Sequence, residues 1–112
     1  MTKAKYVLRV FFDAGSGVLL WSGNSAAHER FGYPVNFDDL PLPDATRSRV
    51  AAIIVRYDTS INWDAPSSPT LWTNQECEQF NCEVSELIGQ LRRDLGSEFE
   101  LDNETRPLVP GE

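Results

Sequence analysis

The sequence predicts an α+β fold: a small antiparallel sheet, made of an N-terminal hairpin and a C-terminal strand, packed against two main helices and one short helix. Three observations carry this reading. Apolar residues alternate with period two near both ends of the chain, at 5–12 and 98–102. An apolar stripe with helical spacing runs from Cys77 to Leu95. Turn-forming Gly, Asp, Asn and Pro separate these stretches. The 112 residues suit one domain, and at 41% apolar and 11% aromatic they can bury a core without a metal or disulfide. Residues 103–112, with Pro107, Pro110 and Gly111, read as a flexible tail to that domain.

In the first strand, Tyr6, Leu8, Val10 and Phe12 form a wholly apolar set that should face the core, with Val7, Arg9 and Phe11 on the other side. Residues 13–17 supply turn chemistry, and residues 18–21 make the second strand of a hairpin. Asn24 is placed to cap a short helix over 25–31, with Gly32 to stop it and Pro34 to prevent continuation. The proline-studded stretch 35–43 should run extended over the core. A second helix from Asp44 to about Asp58 is marked by Val50, Ile53, Ile54 and Tyr57 on one face. Residues 59–72 hold two prolines and form a long irregular loop, the kind of segment that often carries function. Thr73 and Glu76 then form a capping box for the longest helix, whose stripe is Cys77, Phe80, Val84, Leu87, Ile88, Leu91 and Leu95, with Gly96 at its end. Glu98, Glu100 and Asp102 alternate with Phe99 and Leu101, a third strand expected to pair with the hairpin.

The net charge of −7 is unevenly distributed. Residues 1–36 hold four basic and two acidic side chains; residues 73–112 hold three basic and ten acidic ones. Such a field repels nucleic acid, whose phosphates need a basic footprint, and steers a basic protein partner inward. The same charges on helix faces also simply confer solubility. No stretch approaches the roughly 20 apolar residues of a membrane span, and the N-terminus has no signal-peptide pattern, so a cytoplasmic protein is expected.

Catalytic chemistry finds little support. His28 stands alone, and Cys77 and Cys82 lack the spacing of a zinc or redox motif; one core and one surface cysteine are expected. Asp38 and Asp39 precede a Leu-Pro turn and read as turn residues. Asp58 and Asp64 bracket Asn62 and Trp63, a set compatible with a carbohydrate or small-ligand site and equally with a loop pinned by Asx turns. The glycines at 15 and 17 lack the lysine of a phosphate loop, and no cofactor or metal is implied. Trp63 and Trp72 lie in the loop, where a tryptophan either anchors the segment or contacts a partner.

The residues 12–21, reading Phe-Asp-Ala-Gly-Ser-Gly-Val-Leu-Leu-Trp, then Phe31-Gly-Tyr-Pro34, then 57–64 with Trp72, Phe80 and Asn81, resemble small acidic bacterial immunity proteins of polymorphic or contact-dependent toxin systems. The resemblance spans about residues 6–100. It implies a non-catalytic protein whose acidic, aromatic-edged surface binds a cognate toxin domain, often a basic nuclease, and blocks its active site. The surface expected to do this is the loop with Asp58, Asn62, Trp63, Asp64 and Trp72, together with Glu76, Glu78, Glu83 and Glu86 on the long helix. Two other readings remain open from the residues themselves: an enzyme or ligand binder using Asp58, Trp63 and Asp64, and a self-associating structural domain.

Overall fold

The computed structural model describes residues 4–65 and 70–109; residues 66–69 of the loop and 110–112 of the expected tail lie outside the described residues. The order is β1 (Tyr6–Val10), β2 (Leu20–Ser22), α1 (Ser25–Phe31), a 3-10 turn (Phe37–Asp39), α2 (Asp44–Thr59), α3 (Asn74–Leu95) and β3 (Phe99–Asn103). The fold is α+β, with helices of both lengths where the capping signals put them. Asn24 accepts the Ala27 N–H at the start of α1, and Gly32 closes it with a φ of 85°. Thr73 and Glu76 exchange both capping-box bonds at the start of α3. Among the described residues, no helix is long and apolar enough to cross a membrane.

β1 is the middle strand of a sheet ordered β2-β1-β3. Tyr6, Leu8 and Val10 are buried on its inner face, as their alternation requires. β2 pairs with β1 antiparallel, Val10 opposite Leu20, but β3 pairs with β1 in parallel, Tyr6 opposite Phe99 and Leu8 opposite Leu101. The sheet is therefore mixed, which corrects the expectation of an antiparallel one. The reason lies in α3. Its 22 residues carry the chain roughly 33 Å back to the start of β1, where the Tyr6 N–H donates to the Glu98 carbonyl at 2.9 Å. From there β3 can only run alongside β1 in the same direction. Period-two alternation determines which face each side chain takes; it says nothing about strand direction.

The core lies between the inner face of the sheet and the helices. Seven α3 residues from Cys77 to Leu95 are buried, and six of them, from Phe80 to Leu95, meet Val50, Ile53 and Ile54 of α2, Ala27 of α1 and Leu101 of β3 in one cluster. Val35, Leu40 and Leu42 of the proline-rich connector close its side. Polar bonds tie the helices at their ends. Thr46, 5% exposed, donates to Asp94 Oδ2 at 2.5 Å, joining the first turn of α2 to the last turn of α3. Arg56 of α2 ion-pairs with Glu83 of α3 while its guanidinium lies 5.7 Å from the Trp72 ring centre and 5.5 Å from that of Phe80. Arg49 reaches Glu86 at 3.2 Å.

The stretch after β3 carries bonds of its own. Arg9 grips Glu104 with two hydrogen bonds of 2.6 and 2.7 Å. Asn81 of α3 donates to the Leu108 carbonyl at 2.9 Å and accepts the Leu108 N–H at 2.8 Å. A side-chain amide thus supplies both halves of a ladder rung.

Leu87 is fully buried, so Leu87→Ala should cost about 3–5 kcal/mol, read from chemical denaturation; a loss under about 1 kcal/mol would show that the α3 seam is not the core. Hydrogen bonds from Thr46 first and then Gln90 hold the Asp94 carboxyl below its ordinary 3.8, and the Arg9 hydrogen bond holds Glu104 below 4.5. Because the folded pKa values lie lower, the stability these groups contribute is complete above the unfolded values and is lost as pH falls through the folded ones. The urea midpoint should therefore fall between about pH 5 and pH 3, and less steeply in Thr46→Val. An equally steep fall in that variant would remove Asp94 from the explanation.

Candidate binding surface

The loop residues expected to carry function are fixed by the α2 C-terminus and by the 13–17 turn. Ser60, fully buried, donates its hydroxyl to the Tyr57 carbonyl at 2.6 Å, and its own carbonyl accepts the Thr70 hydroxyl at 2.7 Å, pinning the two ends of the loop together. Asp58 Oδ1 accepts the Gly15 N–H at 3.0 Å, and the Asp58 carbonyl accepts the Trp63 indole N–H at 3.0 Å. Gly15 has a φ of 79°, open to glycine and strained for other residues. A Cβ there would stand 3.5 Å from the Trp63 ring, so the indole rests directly on the turn. Asn62 accepts the Asp64 N–H at 3.1 Å, an Asx turn that leaves the Asp64 side chain exposed.

The two loop tryptophans have different roles. Trp72 is half-buried and meets Phe80 edge-on at 5.4 Å; it anchors the loop to the core. Trp63 is 55% exposed despite its satisfied N–H and supported ring. It is an aromatic plate on the surface, held by its indole hydrogen bond and by contact with the Gly15 turn. Asp58 spends a carboxylate oxygen on the backbone of Gly15, whereas the Asp64 side chain is exposed.

The four glutamates of α3 are also unequal. Glu76 is used by the capping box, Glu83 by Arg56 and Glu86 by Arg49. Glu78 accepts the Asn74 amide at 3.4 Å and makes no ion pair among the described residues. The acidity of the outer α3 face is thus partly neutralised by arginines from α2, a pairing that spacing along one helix cannot reveal. Glu100 and Asp102 on β3, and Glu98 just before it, are also exposed. Their alternation was the available signal; what it lacked was knowledge that β3 lies at a sheet edge.

Two hollows flank the segment after β3. One of about 140 Å³ is floored by Phe12, Tyr57 and Phe80 under the 105–108 segment, and another of about 250 Å³ lies on the other side of that segment against Phe11. Burial, with Asp58 and Asp13 nearby, pushes the Tyr57 hydroxyl above its ordinary 10.0, so it stays protonated at neutral pH. Cys77 is buried, which raises its thiol, and Cys82 is exposed. His28 lines a shallow hollow with Asn24, Glu29 and Tyr33, with neither cysteine beside it. Among the described residues, no group of three or more His, Cys, Asp or Glu is placed to hold a metal ion.

A family described as Serratia CdiI immunity protein-like matches residues 7–103, from within β1 to the end of β3. No curated protein matches the chain. The match takes in every helix, the Trp63 plate and the acidic strand together, and the chain belongs to the Serratia CdiI immunity protein-like family, immunity-type proteins of contact-dependent inhibition systems.

Proposed function

We propose that this protein neutralises a cognate toxin domain of a contact-dependent inhibition system by direct protein contact, without catalysis of its own. Family membership over 7–103 is the observation that carries the role. The charge supports a basic partner, such as a nuclease domain, and argues against nucleic acid as the ligand. Within the surface, Trp63 is the proposed anchor. A large aromatic side chain that is held in place yet exposed loses little conformational freedom on binding, which is the character of an interface hot spot. Asp64 and Glu78 contribute exposed carboxylates to the same reading, with Asp58 and Asn62 holding the loop in shape. Glu83, Glu86 and Trp72 support the surface from beneath by securing α2 to α3 and the loop to the core.

Expression of the toxin domain encoded beside this chain should arrest growth, and co-expression of this protein should restore it. Failure to restore growth, together with no complex on co-purification, would sink the proposal. Trp63→Ala should weaken the complex by about tenfold or more in titration calorimetry, while chemical denaturation shifts by no more than about 1 kcal/mol. Unchanged affinity would move the anchor away from the loop.

A further inference from the structure

The two edges of the sheet are not alike. At the β2 edge the Ser22 N–H donates to the Tyr33 carbonyl and the Val35 N–H to the Leu20 carbonyl, both at 2.9 Å, so the 33–35 segment closes it. The β3 edge has no such cover among the described residues. Its ladder to β1 begins with the Tyr6 N–H on the Glu98 carbonyl and ends with the Glu104 N–H on the Val10 carbonyl. In a parallel ladder, alternate residues turn both backbone groups to the same side. Residues 98, 100, 102 and 104 therefore face β1, and Phe99, Leu101 and Asn103 turn theirs outward. Gly96 takes the Phe99 N–H at 3.2 Å and Arg92 covers the Leu101 carbonyl at 3.3 Å. The Phe99 carbonyl and the N–H groups of Leu101 and Asn103 find no protein partner among the described residues.

The side chains beside these groups carry one sign. Glu98, Glu100 and Asp102 recur at every second position, on the outer face of the sheet, and none makes an ion pair among the described residues. Arg9, opposite Asp102 in register, is committed to Glu104. A strand laid along this edge would sit about 4.8 Å away, with its outer side chains about 5 Å from the carboxylates. Lysine or arginine at alternate positions would be matched there. A second copy of β3 would set carboxylate against carboxylate, so this edge rejects self-pairing.

We propose that the β3 edge is where an extended, basic segment of the toxin domain docks as a fourth strand, through the Leu101 and Asn103 N–H groups and the row Glu98, Glu100 and Asp102. This rests on the immunity reading and names the chemistry of the contact. The test uses the full chain and the toxin domain encoded beside it, inactivated by substitution in its active site. In the free protein the Glu100 and Asp102 amides should exchange slowly and the Leu101 and Asn103 amides fast; in the complex these two should slow at least about tenfold. Glu100→Lys with Asp102→Lys should weaken binding about tenfold or more, whereas Glu29→Lys with Asp44→Lys, the same change of charge on α1 and at the start of α2, should alter it by less than about twofold. A complex in which the Leu101 and Asn103 amides still exchange at their free rates overturns the edge proposal and leaves the immunity reading standing. Equal weakening by both double variants would reduce the acidic row to long-range steering and likewise overturn it. No complex and no rescue of growth overturns both.

Discussion

The apolar stripe of α3 has to leave water, and most of the architecture follows from where it goes. Six side chains between Phe80 and Leu95 are buried in one cluster with α2 and the inner face of the sheet. Deleting one such leucine typically costs a large part of a small domain's net stability, so the position of α3 is the hardest feature to change. Its C-terminal turn releases the chain beside Tyr6, which makes β3 parallel to β1. With β2 already on the other side of β1, β3 has only an edge position left.

Charge is arranged around that helix in two ways. Where α2 passes α3, arginines meet glutamates, and Thr46 meets Asp94. Exposed pairs of this kind add little stability individually, but they remove carboxylates from the surface that a partner could meet. Away from α2, on β3 and around the Trp63 loop, Glu100, Asp102, Asp58 and Asp64 make no ion pair among the described residues. The negative field seen along the sequence is therefore redistributed in space, from the helix toward the strand and the loop.

The elements with local signals were legible in the chain. Asn24, Thr73 with Glu76, Gly32 and Gly96 mark helix ends by chemistry that acts within a few residues, and the structure uses each of them. The alternation of 6–10 and 99–101 assigned the inner faces of both strands. The direction of β3 was not legible, because alternation is the same in either direction. The fates of Glu83 and Glu86 were hidden for a related reason: their partners lie 27 and 37 residues away, on another helix. Trp63 and Trp72 looked equivalent in sequence and differ only in what lies beneath them, Gly15 for one and Phe80 for the other.

Arg56 shows how such an arrangement limits sequence drift. Its guanidinium serves three neighbours at once, one carboxylate and two aromatic rings. Lysine would keep the charge for Glu83 but has no flat surface to lay on Trp72 and Phe80. Leucine would keep the contact area and strand a half-buried carboxylate. Related chains that preserve Glu83 and both rings should therefore retain arginine here, and those that lose it should change the aromatic pair as well, so that these four positions vary as a group.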